Sequence, residues 1–468
     1  MFNFLTNSAA QKAFLKSYPQ YKKTAHLDQL RKTEYSRLDK QGHVYLDYTG
    51  GNLYSERQLK MHFTMLSQNV FGNPHSTNPT SQASTKNVEE TRAFVLNYFN
   101  ATNDYYCIFT PNASGSLKIV GESYPFNQQG VFLLSLDNHN SVHGIREFAK
   151  NKGSQVAYCN LQRESLKLDE QDLTAKLAEY AGFKNKLFAF PAQSNVSGIK
   201  HPLTYVTLAE QQGWDVLLDA AAFAPSNQLD LNAIKPSFVS ISFYKIFGYP
   251  TGLGCLLIRK DKFDKLVKPW YAGGTIALAA ASYQAHQLVN NHERFEDGTL
   301  NYLDIPAIKI GLEHINKVGM EHINTRVKCL TDWLIKNLLE LKHTNGQPLI
   351  KIFGSHSVEE RGGTLVLNFY TSQGKSYPFW LVEGEANKYK ISIRTGCFCN
   401  PGIDEINHQI EADELEYYFT HNKSGDFKHM MEHIGKLRGA VRISVGLVTN
   451  FNDIFAFYQF AERFLDKQ

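Results

Sequence analysis

Long apolar stretches are missing from this 468-residue chain. Uncharged runs such as GLGCLLI stop far short of the ~20 residues a membrane-spanning helix needs. The N-terminus, MFNFLTNSAAQKAFLKSYPQYKK, lacks the sequence of basic, apolar and small-residue regions that marks a secretory signal. A cytoplasmic protein is therefore expected. A block of one charge is missing as well: 49 Lys and Arg against 45 Asp and Glu leave a net charge of +4, spread along the chain. Neither nucleic acid nor a membrane surface is expected as a partner. Cysteine is scarce, at six residues. Cys107, Cys159, Cys255 and Cys329 stand alone among apolar neighbours, as buried thiols do. Cys397 and Cys399 form a CxC in the turn-rich segment CFCNPG, but without a second Cys or His pair they make a poor zinc signature, and no metal site is expected. No internal repeat or low-complexity tract is seen.

What the chain does contain is alternation. From about Val44 to Lys260, short apolar runs (VYLDY, YCIFT, VFLLSL, KLFAFPAQ, DVLLDAAAF, FVSISF, CLLIRK) alternate with helical patterns, which predicts βα units around a mostly parallel sheet flanked by helices. After Gly298 a long helical stretch is followed by LIKIF, GGTLVLNFY, ISIRTG and AVRISVG, the pattern of a smaller α+β domain. The charged segment between Asn400 and Arg438 reads as a helical or loop excursion. The expected division is an N-terminal segment 1–44 packing on the small domain, a large domain 45–300, and a small domain 301–468.

In such sheets ligands bind beyond the carboxyl ends of the strands. Residues at those ends here are Thr110 and Ser114, His139, Gln193 and Asn195, Asp219, and Lys245. Taken singly each has an ordinary use: Asp and Asn open turns or cap helices, and a lysine at a strand end usually lays its stem on apolar surface. Together they are the groups pyridoxal phosphate uses: a lysine to form a Schiff base, an Asp to face the pyridine nitrogen, an Asn for the ring hydroxyl, and a His to stack and move protons. TPNASGSLKIV offers the phosphate hydroxyls and amides at a helix N-terminus.

Seven ordered segments, YLDYTGGNLYS, FGNPHSTNPTSQAS, FPAQSNVSG, LLDAAAF, SFYKIFGYPTGLG, FEDGTLNYLDI and ISIRTGCFCNPG, together resemble the class V aminotransferase family, most closely its molybdenum cofactor sulfurase branch. The resemblance runs from about Tyr45 to about Asn450. It implies the fold type I arrangement of pyridoxal phosphate enzymes and cysteine desulfurase chemistry, with L-cysteine as substrate and alanine as product. On that basis Lys245 corresponds to the Schiff-base lysine, Asp219 to the pyridine partner, His139 to the stacking histidine and Asn195 to the ring-hydroxyl donor beside the substrate. Ser114, Ser242 and Tyr244 correspond to phosphate contacts, with Ala113 another cofactor contact. Thr275 of YAGGT corresponds to a residue that reaches the phosphate site of the neighbouring subunit, which implies a homodimer. Arg394 corresponds to the arginine that grips the substrate carboxylate. Cys399 falls where the persulfide-forming cysteine stands, and Cys397 is the second candidate.

Three departures qualify the resemblance. Ala222 stands where desulfurases often have a Gln three positions after the pyridine Asp. Asp404 stands where the branch often has a third cysteine. With the last residue at Gln468, no C-terminal molybdenum-cofactor-binding domain is expected, which leaves the sulfur acceptor open between a protein and the molybdenum cofactor. Two other readings stay open: another pyridoxal phosphate reaction of class V (aminotransferase, lyase or epimerase), separated from the first by Cys399, and a silent scaffold of the same fold.

Overall fold

The runs that are apolar throughout, rather than alternating, become strands covered on both faces. The computed structural model describes residues 7–422 and 424–467. Its large sheet consists of β1 (Tyr105–Thr110), β2 (Gly130–Ser135), β3 (Gln155–Cys159), β4 (Asn185–Pro191), β5 (Asp215–Asp219), β6 (Phe238–Ser242) and β7 (Gly254–Arg259). Every residue of β2, β5 and β6 is buried, including Ser240 and Ser242 of β6, as strands covered on both faces require. The spatial order is β1-β7-β6-β5-β4-β2-β3. Pairing is parallel from β3 through β6, while β7 runs antiparallel to both β6 and β1. The expected mixed α/β class with a mostly parallel sheet is therefore what forms. Because β2, β4, β5 and β6 are parallel, their carboxyl ends open on the same side.

A second sheet contains β8 (Ile350–Ile352), β9 (Thr364–Phe369), β10 (Arg394–Gly396) and β11 (Ala440–Ser444) in the order β8-β9-β11-β10. All of its pairs are antiparallel. The helices Met320–Glu340 and Phe451–Glu462 pack against each other, and the turn of 3₁₀ helix at Pro19–Thr24 packs on the first of them. Arg326, fully buried, pins that contact by donating to the Thr24 hydroxyl at 3.1 Å and its carbonyl at 2.9 Å.

Alternation alone puts VYLDY at the head of the large sheet, and the structure does not. Val44–Tyr45 pairs in parallel with Ile391–Ser392, and the Ser444 amide donates to the Leu46 carbonyl at 2.7 Å. A two-residue strand has too few hydrogen bonds for its own pattern to specify a partner, so tertiary packing chose one. Among the described residues, no helix is long and apolar enough to cross a membrane.

The excursion after Asn400 forms three helices, Pro401–His408, Ala412–His421 and Phe427–Ile434. Asp404 ties the excursion's two ends together, accepting from Arg438 Nε at 2.6 Å and from the Gly439 amide at 2.8 Å. Both side chains of the ion pair are about 5% exposed. Removing one partner of a buried pair leaves an uncompensated charge, which typically costs about 3–5 kcal/mol. Asp404→Ala is expected to lower unfolding free energy by that order, while the double variant Asp404→Leu with Arg438→Met recovers most of the loss. Denaturant titration of the three proteins checks this.

Candidate active site

The aligned strand ends surround a cavity of about 330 Å³, large enough for a small organic cofactor. Asp219 ends β5, and Ser242 ends β6. Lys245 follows in the short helix Phe243–Phe247. His139 stands four residues after β2, and Gln193 and Asn195 follow β4. The eleven-residue helix Ala113–Ser123 presents its N-terminus, with Ala113 and Ser114, to the same space. There the Ser114 and Ser141 hydroxyls lie 2.6 Å apart. Hydroxyls at the positive end of a helix dipole form a ready anion site.

The charged groups are tuned by their surroundings. Among the described residues, no hydrogen bond or ion pair holds the Lys245 ammonium. Its pKa is lowered, first by desolvation and then by the positive charges of Arg442 and Arg394, against an opposing pull from Asp219. A lysine in this state gives up its proton more easily than one in water and becomes a nucleophile or base. Asp219 accepts from the Ala221 amide at 3.0 Å. The His139 ring accepts the Ser141 amide at Nδ1, 3.1 Å away. Burial lowers its pKa, so the ring stays neutral through more of the acid range. Ala222 lines the cavity and offers no donor, whereas Gln193, 3% exposed, brings a side-chain amide to the same wall.

The cysteine pair lies on a turn bonded to Asn195 of the cavity wall. Phe398 and Cys399 have φ of 56° and 55°, and the Asn400 amide donates to the Cys397 carbonyl at 3.1 Å. Two consecutive left-handed residues closed in this way define a type I′ turn, which ordinarily selects Asn and Gly. Contacts from segments that follow strands of the large sheet hold it: Asn195 Nδ2 donates to the Phe398 carbonyl at 2.9 Å, and the Asn140 amide donates to the Cys399 carbonyl at 2.7 Å. Asn400, fully buried, bonds Asn195 Oδ1 at 3.0 Å and the Asp137 carbonyl at 2.7 Å. Asn195 thus commits part of its amide to the cysteine turn, a task its place after β4 did not announce.

Arg394 and Thr275 are placed differently from the rest. Arg394 is not among the residues lining the cavity, although its charge acts on Lys245; its guanidinium bonds Asp47 with Nη2 at 2.7 Å. Asp47 also accepts from Arg442 Nη2 at 2.9 Å. The sequence reading missed Asp47, Asn400 and Arg442. RISVG did read as a strand, and an arginine within an otherwise apolar strand was the available signal. Thr275 is not in the wall of this chain's own cavity. It is buried in a local turn, its hydroxyl bonded to the Ala272 carbonyl at 2.9 Å. It leads into the hairpin Ile276–Ala280 and Ala285–Leu288, beside which Tyr283 is 83% exposed.

Residues 44–457 match the profile of the aminotransferase class-V family, and the chain belongs to that family. It is 35% identical to the molybdenum cofactor sulfurase of Arabidopsis thaliana over 96% of this chain and 60% of that protein. With the molybdenum cofactor sulfurase of Homo sapiens it shares 34% identity over 93% of this chain and 51% of the human protein. It thus spans between half and three-fifths of the length of these relatives. Among solved structures it resembles the apo cysteine desulfurase of Thermococcus onnurineus NA1, with a TM-score of 0.76, 22% identity, and coverage of 93% of this chain and 97% of that one. The cysteine desulfurase CsdA of Escherichia coli gives a TM-score of 0.73 at 18% identity, covering 93% of this chain and 98% of its own. At such identities these likenesses establish the fold.

The two turn cysteines differ in environment. Cys399 is exposed and Cys397 half-buried, and the Cys397 thiol pKa is raised by desolvation and then by Asp404. A raised thiol pKa leaves less thiolate at neutral pH. Iodoacetamide at pH 7.5 is therefore expected to label Cys399 before Cys397, as read by peptide mass mapping; faster labelling of Cys397 contradicts the structural assignment.

Proposed function

We propose that this protein is a pyridoxal phosphate enzyme that takes sulfur from L-cysteine and holds it as a persulfide on Cys399. The observation that carries the reading is Lys245, an amine without a bonded partner among the described residues, lining a cavity shared with Asp219 and Asn195, to which the turn bearing the exposed Cys399 is bonded. The residues present fit the cofactor. The helix N-terminus with Ser114 and Ser141 suits a phosphate, Asp219 suits a pyridinium nitrogen, the neutral His139 ring suits a stacking partner, and Lys245 suits a carbonyl carbon. When bound, pyridoxal phosphate supplies an electron sink conjugated to the substrate's α-carbon.

The chain's own residues do the rest. Arg394 takes the substrate carboxylate. Lys245, its proton affinity reduced by burial, carries the proton removed from the α-carbon. The Cys399 thiolate attacks the substrate sulfur, forming an S–S bond as the C–S bond breaks. The carbon side takes up a proton and leaves as alanine, so the net change is L-cysteine plus Cys399 thiol to alanine plus Cys399 persulfide. The relatives' names support an onward transfer to the molybdenum cofactor, with an acceptor protein as the alternative. The same reading makes the protein a homodimer in which Thr275 contributes to the partner's phosphate site. The exposed apolar hairpin after Thr275, with Leu278 and Tyr283, supports this. A reducing cytoplasm keeps Cys399 free for this chemistry.

Incubating the purified, cofactor-loaded protein with L-cysteine tests the proposal, with alanine and protein-bound persulfide measured together. Equal amounts in the first turnover are expected. Cys399→Ser should form neither while retaining the cofactor's visible absorbance, and Lys245→Ala should lose that absorbance. Alanine without persulfide, or persulfide retained in Cys399→Ser, rejects this chemistry. For the assembly, light scattering is expected to give twice the chain mass of 53.1 kDa; a fully loaded monomer rejects it.

A further inference from the structure

Arg394 and Arg442 are directly opposed partners on the neighbouring antiparallel strands β10 and β11. Like charges in that relation repel. Arg442 is also buried, 3% exposed, with its Nη1 donating to the Asn195 carbonyl at 2.9 Å and its Nε unbonded. Asp47 resolves the conflict. It is delivered from the neighbouring segment by the backbone bridge between Asp47 and Ser444, and its carboxylate accepts from both guanidinium groups. Oδ1 takes Arg442 Nη2 at 2.9 Å, while Oδ2 takes Arg394 Nε at 3.0 Å and Nη2 at 2.7 Å. The chain passes this cluster as Gly50 because a β-carbon there would run into both the Asp47 carboxylate and Arg394 Nη2.

This arrangement has two consequences. First, Arg394 is held by its Nε/Nη2 edge, and among the described residues Nη1 has no bonded partner. The Nη1/Nη2 edge of a half-exposed guanidinium therefore faces outward as a preset fork. Second, two arginines and one carboxylate leave the cluster one net positive charge, which one incoming carboxylate neutralises.

We propose that Asp47 is a specificity-determining residue: by occupying one edge of Arg394 and neutralising one of the two arginine charges, it matches the site to amino acids with a single carboxylate and disfavours those with a second acidic group. This rests on the reading of Arg394 as the carboxylate anchor. Asp47 itself positions and balances; the substrate is held by Arg394.

Equilibrium binding tests it without recourse to turnover. The cofactor-loaded protein is titrated calorimetrically with L-serine and with L-aspartate, and the ratio of their dissociation constants, aspartate over serine, is the readout. A merely structural role for Asp47 moves both constants together and leaves the ratio unchanged. Charge matching predicts that Asp47→Asn lowers the ratio at least tenfold and that Arg442→Gln raises it. The double variant, again with one net positive charge, returns it to within about threefold of the unaltered protein. Arg442→Gln and the double variant leave no buried unpaired guanidinium, so they remain informative if Asp47→Asn does not fold. A ratio constant across the variants, while Arg394→Gln weakens L-serine binding, overturns the role of Asp47 alone. L-Serine binding unaffected by Arg394→Gln overturns the carboxylate-anchor reading and the inference with it.

Discussion

The carbonyl groups of Phe398 and Cys399 are the hinge on which this architecture turns. They belong to a turn that follows strand β10 of the small sheet, yet both are bonded by segments that follow strands of the large sheet, through Asn195 and the Asn140 amide. Left-handed backbone at a residue with a side chain costs on the order of 1–2 kcal/mol, and here two occur in succession. The turn persists because its surroundings over-determine it. Asn400 closes it, caps the helix Pro401–His408 by accepting the Ile403 amide, and reaches back to Asn195 and Asp137.

Charge in the site is arranged in layers. Deepest are Lys245 and Asp219 at neighbouring strand ends, where desolvation works against the ammonium and the carboxylate partly restores it. His139 lies beside them and is pushed toward neutrality by burial. Beyond them, Arg394 and Arg442 share Asp47. The Phe398 ring lies 5.0 Å from the Arg442 guanidinium, so the arginine pair and the cysteine turn share one physical neighbourhood.

Much of this was legible before any coordinates. Short runs such as DVLL and FVSIS read as buried strands, and their alternation with helical patterns implied parallel pairing and a ligand at the carboxyl ends. Lys245, Asp219, His139, Asn195 and Ser114 could be nominated because each closely follows an apolar run and together they are the groups one cofactor uses. VYLDY shows the limit. Its composition is that of a strand, but two hydrogen-bonded residues do not specify a neighbour, and it joined Ile391–Ser392 instead of the large sheet.

By itself, then, the sequence determined the class of fold, the strand ends that line the cavity and the family to which the chain belongs, because all of these follow from local periodicity and short ordered segments. Only tertiary structure decided that Arg394 faces Arg442 across a strand pair, that Asp47 sits between them, and that Asn195 and Asn400 hold the cysteine turn. The contacts of Asp47 with Arg442 and of Asn195 with the cysteine turn join residues some 200 to 400 positions apart. Hydrogen bonds at that separation depend on register and on how two sheets meet, which no pattern within one segment encodes.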